Sequence, residues 1–167
     1  MSWCFPDPGV RPRRLQALFG LIASDAYVPV GSSSIVDDTA AALWLPAGTT
    51  LGDDVLVPMR KKLAVALDGE LERLGTLAGM VREAHPSDTD HWYLFSIGVR
   101  QSAQGAGMGA KLLEHTLLLA DERHQPAYLE ASNVRNRALY ERHGFQATMT
   151  LTLPDGPDIW PMWRDAR

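Results

Sequence analysis

One cysteine, Cys4, is all the thiol chemistry this chain of 167 residues has. No intrachain disulfide and no cysteine-rich zinc site can be built from it, and a lone thiol suits a reducing compartment; the expected location is the cytoplasm. The histidines, at 85, 91, 115, 124 and 143, lack ligand spacing such as H-x-x-x-H, so no metal is expected. Long apolar runs are missing as well. Nothing approaches the roughly 18 apolar residues that a membrane-spanning helix needs, and no membrane partner is expected. A basic excess is also lacking: 16 Lys and Arg stand against 20 Asp and Glu, a net charge of −4. Nucleic-acid proteins draw affinity from cations on phosphates, so that class is not expected either. Repeats and low-complexity tracts are absent.

What is present is enough apolar material for a packed core, with 46% hydrophobic and 22% charged residues. The length suits a single domain over 1–167. Arg11 to Ala26 imitates an export signal, basic residues before apolar ones. Its apolar positions 15, 18, 19 and 22 nevertheless follow helical spacing, which predicts an amphipathic helix over about 13–24. Ala26 to Val30 reads as a strand, Gly31 to Ser34 as a turn, and 39–45 as a second strand. Two helices are predicted at roughly 53–67 and 69–84, and a long aromatic strand from His91 to Val99. A glycine-rich loop then enters a helix reaching about Arg123. A strand over 127–131, a helix over 134–143, a strand from Phe145 to about Leu153 and its partner from Ile159 to Arg164 complete the chain. This order predicts a mixed α/β sheet with helices on its faces.

Glycines between a strand and a helix are a device for holding phosphate. They let backbone N–H groups converge, and the helix N-terminus adds unsatisfied donors and about half a positive charge. Gly105, Gly107 and Gly109 stand at such a junction. The stretch also fits the dinucleotide fingerprint G-x-G-x-x-A, with Glu130 as the ribose acid. That reading fails on two counts: five residues separate Val99 from Gly105, and too little chain follows Glu130 for further βαβ units. No Gly-Lys-Ser/Thr follows, which excludes a Walker loop.

Val99-Arg-Gln-Ser-Ala-Gln-Gly-Ala-Gly-Met-Gly-Ala-Lys-Leu-Leu113 resembles the acetyl-CoA signature of the GNAT superfamily, with Gln104, Gly107 and Gly109 at its defining positions. Asn133 to Phe145 resembles the superfamily's second signature, N-x6-Y-E-x-x-G-F. His91-Trp-Tyr-Leu, Tyr128 to Ser132 and Leu43-Trp-Leu-Pro46 are similar to a bacterial subgroup. Ala106 replaces a common Arg or Lys, and Gln101 a common Pro. The resemblance implies a mostly antiparallel sheet whose cofactor-binding core covers about 91–145. It also implies a strand and a helix ahead of 13–24 that this sequence does not carry. The expected fold is therefore GNAT-like but N-terminally shortened, with an open sheet edge that a second copy would cover in a homodimer.

The activity implied is an acetyl-CoA-dependent N-acetyltransferase, in which a primary amine of a small molecule or protein attacks the thioester directly. A non-catalytic acyl-CoA-binding module is the alternative. Gln104, Gly105, Ala106, Gly107, Met108 and Gly109 would cradle the pyrophosphate. Main-chain groups of Ile97, Gly98 and Val99 would pair with pantetheine, an amide near Ile97 or Val99 would serve the oxyanion, and Gly98 would allow a bulge. Tyr140 is the expected general acid, or else a packing residue. Asn133, with Asn136, would bond the pantetheine amide, or Asn133 would only cap its helix. Glu130 is the candidate base or a structural carboxylate; His91 and Tyr93 stand behind it. Arg135, Arg137 and Arg142 would reach the adenosine phosphate or face water.

Overall fold

A computed structural model describes residues 1–167. The first helix, α1, spans Arg11–Ile22 with Pro12 in its opening turn, where a missing N–H breaks no helical bond. It does not stop at 24. A π-helical segment, Ala23–Tyr27, and one more α-turn, Val28–Val30, prolong it, which overturns the strand expected over 26–30. The apolar residues there are used by a helix face instead: Ala26 and Tyr27 are buried in one cluster with Leu18, Leu63 and Leu67. Burial outvotes the β-propensity of Tyr27, while Val28 and Val30 stay exposed on the helix surface. Gly31 ends the helix where a Cβ would collide with the carbonyl oxygens of Tyr27 and Trp44.

The turn expected at 31–34 is likewise corrected, since β1 occupies Ser32–Val36. It ends the sheet, and a half-exposed edge strand tolerates serines that hide a strand signal. Asp37 and Asp38, with φ of 47° and 51°, turn the chain into β2, Ala40–Leu45. Helices α2 (Asp53–Ala66) and α3 (Glu72–Ala84) follow, then β3 (Trp92–Val99), α4 (Met108–Glu122), β4 (Ala127–Ala131) and α5 (Val134–Arg142). The strand expected over 145–153 survives only as β5 (Gln146–Ala147) and β6 (Leu151–Thr152), both against β7 (Asp158–Arg164). Pro161, in the middle of β7, has no N–H to return to the ladder, and the partner strand breaks beside it.

The strand order is β1-β2-β3-β4-β7-β5, with β6 also on β7. Every pairing is antiparallel except β3 with β4, the two strands joined through α4. One face of the sheet carries α4 and α5 over Ala42, Trp44, Leu94, Leu129 and Met162. The other carries α1 to α3 over Leu45, Tyr93 and Phe95.

The C-terminal strand is pinned by an ion pair. Arg164, 4% exposed, donates twice to Asp121 at 2.8 and 2.7 Å and once to the His143 carbonyl at 2.9 Å. Hydrogen bonding from Arg164 holds the Asp121 carboxyl below its ordinary range. Stability from this pair is therefore complete above that range and lost as pH falls through the depressed value. Arg164→Met should cost about 3 kcal/mol in urea unfolding at neutral pH, because a carboxylate loses its partner. The gap between variant and parent should narrow in acid.

Candidate active site

The register of β3 and β4 creates the site. They pair only through Trp92–Ala127, Tyr93–Tyr128 and Leu94–Leu129. β3 continues to Val99, and β4 to Ala131, without further pairing, so the two parallel strands part beyond Leu94 and Leu129. A bulge coincides with the parting: Leu43 faces Ser96 while Trp44 faces Leu94, which leaves Phe95 as the extra residue. The bulge was expected at Gly98. Phe95 supplies it instead, its ring stacked on Tyr27 at 4.8 Å.

Antiparallel bonding alternates along β3. The Arg100 N–H donates to Thr39 at 2.7 Å, so Arg100 and Gly98 direct their main chains towards β2. Ile97 and Val99 then turn theirs towards the parting. Of the three residues expected to offer main-chain groups there, the alternation supplies Ile97 and Val99 and turns Gly98 away. Gln104 closes the far end by donating Nε2 to the Val99 carbonyl at 3.2 Å.

Past β3, a short 3₁₀ turn, Gln101–Ala103, leads into the glycines. Gly105 and Gly107 have φ of 86° and 78°, the left-handed region in which a side chain is strained. The amides of Gly105, Ala106 and Gly107 donate to no acceptor in the chain. Met108, Gly109 and Ala110 form the first turn of α4, whose N–H groups have no intrahelical partner. Space around Gly105 and Gly107 is open, while a Cβ on Gly109 would touch Leu139 at 3.5 Å. Free amides beside open space fit a pyrophosphate, and the parted strands fit a slender pantetheine chain. Ala106 contributes only its amide.

α5 brings the second signature to the same place. Asn133 caps it, its side chain accepting from the Asn136 N–H at 2.8 Å. The carboxamide nitrogen of Asn133 is left without a protein acceptor. Asn136 is therefore engaged through its backbone in the cap. Tyr140, one side of the same helix, is buried against the sheet with Phe145 and Leu129. Its hydroxyl makes no hydrogen bond to the chain, and burial pushes its pKa up to about 12. Arg137 lies over the Trp160 ring and bonds Glu141 at 2.8 Å, which places it in the helix's own surface network.

Glu130 lies on the opposite face. Leu129 and Ala131 point into the α4–α5 layer, so alternation along β4 sends Glu130 to the other side. Its side chain is 9% exposed, its Oε2 accepts from the Tyr93 hydroxyl at 3.0 Å, and its Oε1 is buried with no hydrogen-bond partner in the chain. Burial, and then the Glu130 charge, raise the pKa of Tyr93, Tyr128 and Tyr27, so all three phenols stay neutral. On this same face an open groove of about 580 Å³ runs between Ile35, Asp38, Ala41, Gly98 and Arg100. Sequence reasoning missed His85, Tyr128 and Tyr27 as members of this site. His85 stands 45 positions before Glu130 in a Pro-containing loop, and no local pattern joins them.

Comparison with known proteins gives the family of the chain. The model of the acetyltransferase (GNAT) family matches residues 43–145. An uncharacterized N-acetyltransferase of Schizosaccharomyces pombe is 33% identical over 118 residues, 65% of this chain and 48% of that protein. A 5-NmdU N-acetyltransferase of Pseudomonas phage PaMx11 is 40% identical over 70 residues, 42% of this chain and 50% of that one. The chain thus spans about half the length of the curated relatives it matches. A Corynebacterium glutamicum structure, described as histone acetyltransferase HPA2 and related acetyltransferase, superposes with a TM-score of 0.64 at 25% identity. That match covers 97% of this chain and 78% of the other.

Proposed function

The chain belongs to the acetyltransferase (GNAT) family, and from that premise we propose that it transfers the acetyl group of acetyl-CoA to a primary amine by direct attack. The observation that carries this reading is the parting of β3 from β4 between a turn of free amides and two titratable side chains on opposite faces. Gly105 to Ala110 hold the diphosphate, Ile97 and Val99 offer main-chain groups to the pantetheine, and the free amide of Asn133 bonds it from α5. Acetyl-CoA supplies an activated acyl carbon and a thiolate leaving group. An N–H of Ile97 or Val99 donates to the carbonyl oxygen as charge develops there, an interaction type worth ~3 kcal/mol. Tyr140 donates towards the sulfur from the α4–α5 face. Glu130 accepts the amine proton from the other face, where its buried, partnerless Oε1 is an acceptor in waiting.

The acceptor then enters on the Glu130 face, beside the open groove and over a floor of Tyr27, Tyr93, Phe95 and Tyr128. Both a small-molecule amine and a protein amine fit an entrance of this kind. Thiol release from acetyl-CoA, measured over a panel of aminomethyl-nucleosides, small amines and peptides, should show turnover with at least one class. CoA binding by calorimetry with no thiol release for any acceptor would leave an acyl-CoA-binding module instead.

The cradle has its own test. Gly107→Val adds a β-branched side chain where φ is 78°, and its Cβ meets no atom within 4 Å. The main penalty is backbone strain, about 1–3 kcal/mol in the bound conformation. Calorimetry should show acetyl-CoA affinity reduced about tenfold or more, with secondary structure by circular dichroism unchanged.

A further inference from the structure

We propose that Glu130 and His85 together form a single proton site that receives the proton lost by the attacking amine, and that His91 holds His85 in the tautomer this requires. The inference rests on Glu130 acting as the base in the reading above.

The hydrogen-bond chain dictates the tautomers. His91 Nδ1 lies 2.7 Å from the Thr89 carbonyl oxygen. A carbonyl only accepts, so the hydrogen of neutral His91 is on Nδ1 and its Nε2 is bare. That bare nitrogen is 3.1 Å from His85 Nε2. The pair can bond only if His85 carries its hydrogen on Nε2, which leaves His85 Nδ1 bare in turn. His85 Nδ1 faces Glu130 Oε1 at 3.9 Å. Two lone pairs therefore confront each other, one of them on a buried carboxylate oxygen that makes no hydrogen bond in the chain, although the Tyr128 hydroxyl stands beside the same carboxylate. Such an arrangement is costly when empty, because a buried acceptor without a donor forfeits its hydration. One added proton replaces the repulsion with attraction, and a closer approach from 3.9 Å completes a charge-assisted bond.

The surroundings reinforce this. Tyr27 from the extension of α1, Tyr93 from β3 and Tyr128 from β4 face Glu130, all as neutral phenols. His85 is the one basic side chain within 4.0 Å of the carboxylate. His91 is packed edge-on to Trp163 of β7 at 5.4 Å and feels Asp90 and His85. Burial is the main cause that lowers its pKa, which keeps it neutral, and the Thr89 carbonyl keeps its hydrogen on Nδ1.

In the transfer, the N–C bond forms and the C–S bond breaks. The proton from nitrogen passes to Glu130 Oε1 and is shared with His85 Nδ1, while the thiolate takes the proton of Tyr140. His85, with a side chain 31% exposed, releases its proton to solvent and resets the site. Tyr140 recovers one from solvent.

The full chain labelled with ¹⁵N-histidine tests this by NMR. At mildly alkaline pH, His91 should show the Nδ1–H tautomer and His85 the Nε2–H tautomer. Glu130→Gln should shift the His85 Nδ1 resonance, because that nitrogen faces the carboxylate. In turnover, His85→Gln should lower kcat about tenfold or more with KM for acetyl-CoA unchanged, and added imidazole should restore part of the loss. An Nδ1–H tautomer on neutral His85, a His85 Nδ1 resonance indifferent to Glu130→Gln, or an unchanged kcat in His85→Gln would each overturn the proposal. The NMR result stands apart from activity: an inactive chain with these tautomers sinks the acyl-transfer reading alone. An active chain with the opposite tautomer on His85 sinks the proton site alone.

Discussion

Glu130→Gln should lower kcat by about a hundredfold or more while leaving the affinity for acetyl-CoA unchanged. The magnitude is that of a lost general base. The selectivity follows from geometry, because the pyrophosphate turn and Tyr140 lie with the α4–α5 layer and Glu130 projects from the other face. Glutamine keeps the shape and keeps an oxygen for the Tyr93 hydroxyl. It removes the one atom that has no partner, Oε1, and puts an N–H donor opposite the bare Nδ1 of His85. The folded protein therefore loses an unsatisfied buried acceptor, and its Tm should hold or rise. Falling activity with steady or rising Tm is the mark of a group retained for chemistry at the expense of stability. Steady-state kinetics and a thermal melt on one preparation check both halves. A large drop in Tm together with activity would make Glu130 a structural carboxylate.

The parts of the molecule that were legible in the sequence are those where one local rule dominates. Helix α4 and its glycines could be read because a left-handed backbone needs Gly105 and Gly107, and because Met108, Leu112, Leu113 and Leu117 repeat at helical spacing. The cap of α5 could be read from Asn133 three residues before Asn136. The misreadings fall where tertiary contacts decide. Ala26 to Val30 look extended by composition, yet the segment is helical and buries Ala26 and Tyr27 beside Phe95 and Leu45. Gly31 to Ser34 look like a turn, yet Ser32 to Val36 form a strand because β2 gives them a partner. For the candidate site, the two signatures pointed to Tyr140, Asn133 and the glycine turn, but not to an acceptor side. His85, His91 and Glu130 come from the end of α3, the edge of β3 and the end of β4. Their meeting is set by sheet register rather than by spacing along the chain, so no window of sequence contains it. The parting of β3 from β4 is of the same kind: it depends on where pairing stops, at Leu94 and Leu129.

Tyr140→Phe should reduce kcat about ten- to a hundredfold, a smaller effect than at Glu130, with acetyl-CoA affinity again unchanged. The hydroxyl makes no hydrogen bond to the chain, so its removal breaks nothing in the fold and Tm should barely move. Its role is bounded by acidity. Burial pushes the phenol to about 12, which keeps its hydrogen in place throughout the neutral range. A free thiol in water has a pKa near ~8.5, so full transfer from such a phenol to a solvated thiolate would run uphill. Inside the parted strands the departing thiolate is desolvated as well, and its proton affinity climbs for the same reason as the phenol's. The hydrogen bond from Tyr140 therefore strengthens as the C–S bond lengthens, which is stabilisation confined to the transition state. Leaving-group dependence follows. A thioester of a more acidic thiol, such as an aryl thioester, needs less help, so the ratio of parent to variant rates should shrink towards one with that donor. It should not shrink if Tyr140 only positions α5 against the sheet, because a packing defect is indifferent to the acidity of the thiol. The pH dependence carries the same sign: below about 12 the donor is intact, so the parent should show no loss of the acid function anywhere in the neutral range.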